Sequence, residues 1–130
     1  MISNKVKQIY DPIHGFIDIT PLMQYIIDTR EFQRLRYLKQ LGAVHFVYPS
    51  ATHTRFEHSI GVSHLAFIMS NHLFKDEIIP ETNYPISELT RVAGLIHDIG
   101  HGPFSHLYDV KCVIMMNQNM KNAGVKYLNH

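Results

Sequence analysis

His97-Asp98 sets an imidazole beside a carboxylate at the end of an apolar segment carrying Leu89, Val92, Ala93, Leu95, Ile96 and Ile99. A buried charge is costly unless it is paired or bound to a metal. Neighbouring helical residues point about 100° apart, yet at a helix end both can reach one ion placed off the tip. Mixed N/O ligation suits Fe, Mn, Zn or Ni better than Ca. His58, on a second periodic segment, can supply a third ligand by packing across the first. The competing structural reading makes Asp98 a turn cap and His97 a hydrogen-bonded core histidine. Ten histidines in 130 residues give the chemical reading weight through their placement. His53, His58 and His64 form one group, and His97, His101 and His106 another. Histidine is the commonest metal ligand and titrates near neutrality.

The elements that must position these residues follow from periodicity and punctuation. Lys5–Tyr10 and Phe16–Thr20 read as two strands around the turn Asp11-Pro12-Ile13-His14-Gly15. Thr20-Pro21 opens a short helix, with an N-cap followed by proline at the first helical position. Thr29 caps a second helix over Arg30–Leu41, closed by Gly42. Ala43–Thr54 is a loop or short extended piece. Val62, Leu65, Ala66, Met69 and Leu73 predict a helix from Arg55 to about Phe74. Lys75–Pro85 is a connection, after which Ser87 caps a helix apolar nearly all round, as a central buried helix would be. Gly100, Gly102 and Pro103 end it, and a Met- and Asn-rich tail from Val110 has room for one more helix. The expected fold is mainly α, with a small N-terminal β-hairpin.

At this length one domain is expected, and 45% hydrophobic content supports a core. Lys plus Arg number 12 against 11 Asp plus Glu, so no diffuse attraction to nucleic acid or an anionic membrane is indicated. Cys112 is the single cysteine and excludes an internal disulfide. No apolar run reaches transmembrane length, which makes a soluble intracellular protein the default.

Two stretches, Arg55-Phe56-Glu57-His58-Ser59-Ile60-Gly61 and Gly94-Leu95-Ile96-His97-Asp98-Ile99-Gly100-His101-Gly102-Pro103-Phe104-Ser105-His106, resemble the signature segments of the HD superfamily. Asp11-Pro12-Ile13-His14-Gly15 and the run from Phe32 to Gly42 narrow the resemblance to the deoxynucleoside triphosphate triphosphohydrolases, especially the branch that couples a sterile-alpha-motif domain to an HD core. It covers roughly Lys5 to Asp109. It implies an HD-domain helical core over residues 1–109 and a divergent tail over 110–130. The implied metal ligands are His58, His97 and Asp98, for a divalent transition metal (Fe, Mn or Zn) or Mg. The same resemblance puts Arg55, His101, His106 and Asp109 against the triphosphate or the water held by the metal, with His101, His106 and Arg55 as catalytic groups. Gln40 and Leu41 would face the deoxyribose and base and help exclude a 2′-hydroxyl. Lys7, Asp28, Gln33 and Arg36 match an activating guanine-nucleotide site, for GTP or dGTP, with Asp28 reading the base edge and Arg36 stacking on it. Gln8 and Tyr10 depart from that site's pattern, and a solvated helical face is the alternative for Asp28, Gln33 and Arg36.

The resemblance also implies a fourth metal ligand, an aspartate from a downstream helix, and a histidine general acid. The only Asp after Asp98 is Asp109, which matches a different position, and the only His after His106 is His130. On this reading the chain is C-terminally incomplete, truncated after the His-Asp motif. The implied activity is metal-dependent hydrolysis of a dNTP to deoxynucleoside and triphosphate, dGTPase-like. The alternative is a catalytically inactive homologue that binds nucleotide or a full-length partner. Truncation carries two expectations: little or no turnover by this chain alone, and exposed Leu95, Ile96 and Phe104 driving homo-oligomers or association with a full-length relative.

Overall fold

A computed structural model of the chain describes residues 7–75, 77–104, 106, 110–111, 114–116 and 118. Strands β1 (Lys7–Asp11) and β2 (Gly15–Ile19) form an antiparallel hairpin in which Lys7 pairs with Ile19 and Asp11 with Gly15. Its turn has a local cause. One oxygen of Asp11, Oδ1, accepts from the amides of Ile13 and His14 at 2.8 and 2.9 Å, and Gly15 takes φ +75°, a conformation glycine adopts without a Cβ penalty. Lys5 and Val6, the expected start of the first strand, lie outside the described residues.

Helix α1 (Pro21–Ile27) starts as expected, with the Thr20 hydroxyl accepting from the Met23 amide. Thr29 likewise caps α2 (Arg30–Gln33) through the Phe32 amide. The helix expected to run from Arg30 to Leu41 does not. After Gln33 it tightens into a 3₁₀ turn, Arg34–Tyr37, and Leu38 is extended. Tertiary pairing overrides propensity here. The Leu38 carbonyl accepts from the Arg55 amide at 2.8 Å, Lys39 bridges to Thr54, and the Gln40 amide donates to the His53 carbonyl at 3.1 Å. A continued helix would spend those backbone groups on itself. The following loop holds a second 3₁₀ turn, Val44–Phe46.

Helix α3 (Arg55–Phe74) has the bounds its sequence predicts, but it buries a different face. Phe56, Ser59, Ile60, Gly61 and Ser63 are buried, whereas Leu65, Met69 and Leu73 of the periodic set are exposed. The connection after it contains a further hairpin of β3 (Ile78–Ile79) and β4 (Tyr84–Pro85). Helix α4 (Ile86–Ile96) is preceded by Pro85 in extended conformation, and Ser87 is buried inside the first turn rather than capping it. Nor is α4 apolar all round. Arg91 is buried on its inner face, while Ala93 and Ile96 are exposed. Leu95, expected at the surface, is fully buried in the core; Ile96 and Phe104 are exposed as expected. The described tail positions 110–111, 114–116 and 118 are helical.

One core joins these pieces: Ile17 and Ile19 of β2, Met23 and Ile27 of α1, Phe32, Leu35, Phe56 and Ile60, and Leu95 of α4. Each fully buried side chain of this size is worth roughly 1.5–3 kcal/mol relative to exposure. Polar contacts fix the orientation of α4 against the hairpin. The Arg91 guanidinium donates to the Asp18 carbonyl, pairs with Glu88 at 3.7 Å and lies over the Phe67 ring, and Thr20 donates to Glu88 at 2.7 Å. No described helix is long and apolar enough to cross a membrane.

Candidate metal centre

The α3–α4 contact brings the site together. At Gly94 the two helices meet closely, since a Cβ there would lie 3.1 Å from the Ser63 Cα and 3.2 Å from the Val62 carbonyl oxygen. That approach sets His58, one turn into α3, beside His97 and Asp98 at the end of α4. Ligand atoms of the three all lie within 4.8 Å of one another. The Asp98 Oδ2 is 3.6 Å from His58 Nε2 and 3.4 Å from His97 Nε2. Two ligand atoms bound to one ion at about 2 Å would sit roughly 3 Å apart, so the set needs little closure to share an ion.

The orientation of each donor has a visible cause. His97 Nδ1 lies 2.6 Å from the Gly94 carbonyl, an acceptor, so that nitrogen donates and Nε2 is the one turned toward Asp98. Asp98 is 7% exposed and takes a 2.6 Å bond on Oδ2 from Nη1 of Arg55, itself 1% exposed. His101 Nε2 stands 3.4 Å from the other carboxylate oxygen, Oδ1. Four potential cations therefore surround a single buried anion. The loop carrying it is tied down by Arg34, which donates to the Ile99 carbonyl at 2.9 Å.

Burial lowers the His58 pKa from its ordinary 6.5, reinforced by His97, Arg55 and His53 and opposed by Asp98. A neutral ring is the metal-binding form. As pH falls, the unfolded chain protonates His58 first, so this group withdraws stability between pH 6.5 and its lower folded value. A ring-nitrogen NMR titration of the metal-free chain should give a His58 midpoint below 6.5. A midpoint above it would mean that Asp98 outweighs burial.

Of the other residues singled out in the sequence, Gln40, Leu41 and His106 line one cavity of about 480 Å³ with Gly42 and Phe104. His106 also stacks edge-on with His101, ring centroids 5.3 Å apart. Asp109 lies outside the described residues. Arg55 points at Asp98 rather than into that cavity. Gln33 and Arg36 are joined by a 2.8 Å bond, and the Arg36 guanidinium covers the Phe56 ring at 3.5 Å instead of standing clear for a base. Asp28 accepts from Gln24 and ends α1, while Lys7 pairs in the hairpin. A further cavity of about 420 Å³, lined among others by Asp11, His14, His53, Glu57 and His58, was not anticipated. The grouping of His53 with His58 was its one sequence signal.

A helix pair carrying His on one member and His-Asp at the end of the other, converging on one point, is the arrangement of an HD domain. The HD domain matches residues 55–127, more than half of the chain, and the chain belongs to that family. It is 44% identical to the deoxynucleoside triphosphate triphosphohydrolase SAMHD1 of Gallus gallus, over 96% of this chain and 21% of that protein. Identity to the human protein of that name is 46%, over 89% and 18%, and to a Dictyostelium discoideum homologue 48%, over 79% and 20%. The chain thus spans about a fifth of the curated relatives it matches. Among solved structures it resembles a hypothetical protein from Aquifex aeolicus, with TM-score 0.69 and 44% identity over 81% of this chain and 26% of that one.

Proposed function

We propose that this chain contributes the metal-binding half of a site that hydrolyses deoxynucleoside triphosphates to deoxynucleoside and inorganic triphosphate. The convergence of His58, His97 and Asp98 carries the reading, and the activity named for the relatives supplies its substrate class. A divalent metal, Fe, Mn, Zn or Mg, would polarise the phosphoryl oxygen and make water a better nucleophile. The protein's own groups do the rest. His97 is locked in one tautomer by Gly94, and Arg55 holds the Asp98 carboxylate in place. His101 and His106, facing each other beside the cavity, offset charge on the departing triphosphate. The resemblance adds Asp109 to the groups assigned to the triphosphate. Gln40 and Leu41 line the walls against which the deoxyribose would rest, where a 2′-hydroxyl would be crowded.

A guanine nucleotide acting through Lys7, Asp28, Gln33 and Arg36 would first have to draw Arg36 off Phe56, which couples such binding to the helix bearing His58. Exposed Leu65, Met69, Ile96 and Phe104 favour association with a second copy or a relative. The described residues offer a group of three metal donors, enough to hold an ion; the second reading keeps that ion and nucleotide binding but not hydrolysis.

Incubation of the purified chain with dGTP and Mn(II), followed by anion-exchange separation, tests the proposal. Deoxyguanosine and tripolyphosphate, absent from Asp98→Asn, are the expected products. Deoxyguanosine monophosphate with pyrophosphate would overturn it. Metal-dependent dGTP retention without any product would establish the second reading.

A further inference from the structure

His14 and His64 are far apart in sequence, yet their rings meet with centroids 5.3 Å apart and planes at 50°. His58 and His97, in the centre already described, meet at 5.2 Å. A second pair of imidazoles thus meets at nearly the same ring spacing further along α3, beside the cavity that His14 shares with His58. Two devices build the second pair. The Asp11 carboxylate accepts from the His14 amide at 2.9 Å and fixes the tip of the hairpin turn. Gly61 leaves the room that His14 occupies, since a Cβ there would contact His14 Nε2 at 3.5 Å. Both rings are half-buried, and among the described residues neither makes a hydrogen bond.

Two imidazoles brought together from separate elements at this spacing are placed as ligands of one ion would be. We infer that His14 and His64 form a second metal site, a two-imidazole clamp for a late first-row dication such as Zn(II), pinning the β1–β2 turn to α3. Imidazole nitrogen suits Zn, Ni and Cu over Mg or Ca, so the metal class differs from that of an oxygen-rich site. Burial, and then His14 itself, lowers the His64 pKa, which keeps its lone pair available near neutrality. Asp11, 8% exposed and in the same turn, supplies negative charge beside the site, and the cavity bordering His14 leaves room for water to complete the coordination. With two protein donors instead of three, this site holds Zn(II) more weakly than the first.

Equilibrium dialysis of the full chain against Zn(II) should find a tight and a weaker equivalent. His97→Ala should remove the tight one, and His97→Ala combined with His64→Asn, or with His14→Asn, should remove both. The exposed His72→Asn in the same background should change nothing. Retention of the weaker equivalent in both double variants would overturn the inference, as would its absence from His97→Ala. Ring-nitrogen NMR of the unmutated chain gives a second reading that needs no variant. The His14 and His64 signals should shift together as the second equivalent is added, and unmoved signals would sink the clamp.

Discussion

Asp98→Ala should disable the His58–His97 metal centre and cost the fold about 3–5 kcal/mol, the largest effect expected of any single substitution here. The carboxylate is the shared neighbour of His58 and His97, so its loss removes the anionic donor and leaves two imidazoles. Affinity should fall by more than about 100-fold, beyond what removal of an outer partner does. Stability falls for a separate reason. Arg55 is 1% exposed and would be left as a buried cation without the anion it binds at 2.6 Å. The two causes separate in a double-mutant cycle. Arg55→Met alone leaves the buried carboxylate facing only imidazoles and Asp98→Ala alone removes the anion that Arg55 binds, whereas the double variant removes both charges together. Urea denaturation of the four proteins should therefore show the double variant losing much less than the sum of the singles. Additive losses would mean that the pair is not coupled and that Asp98 stabilises the fold by some other contact.

Gly94 should be the most sensitive position away from the donors. Alanine there would gain up to about 1 kcal/mol in helix propensity. Against that, the added carbon meets the Ser63 Cα at 3.1 Å and the Val62 carbonyl at 3.2 Å, backbone atoms that cannot rotate aside. Overpacking of this kind costs about 1–3 kcal/mol, so the steric term wins. Gly94→Ala should lower the urea midpoint, and Gly94→Val should lower it further. Both should weaken metal binding, because α4 must move off α3 and His97 takes its orientation from the Gly94 carbonyl. A Gly94→Ala chain as stable as the parent, with unchanged affinity, would show that the helices have slack the crossing does not display.

Local chemistry made much of this protein readable before any coordinates. Thr20-Pro21, Thr29 and the Asp11–Gly15 turn announce their elements because capping and turn formation depend on neighbours within a few residues. The bounds of α3 follow from periodicity alone. The three donors were legible because the motifs around His58 and His97-Asp98 resemble one family; the His-Asp pair taken alone fits a turn cap and a core histidine as readily.

What the sequence determined, then, is which residues carry chemistry and roughly where helices start; what the tertiary structure decided is which faces meet. Periodicity marks an apolar stripe on α3 at Leu65, Met69 and Leu73, but the buried face runs through Ser59, Gly61 and Ser63, where Ser63 meets Gly94 of α4 and Gly61 makes room for His14. Size at a crossing is a property of two segments, so one segment's pattern cannot report it. The break after Gln33 has the same origin, because Leu38 and Gln40 give their backbone groups to Arg55 and His53, partners more than a dozen residues away. Arg55 is the sharpest case. Its residue type suits a phosphate, yet the fold buries it and aims it at Asp98, since a buried carboxylate that lacked this cation would be too costly to keep charged.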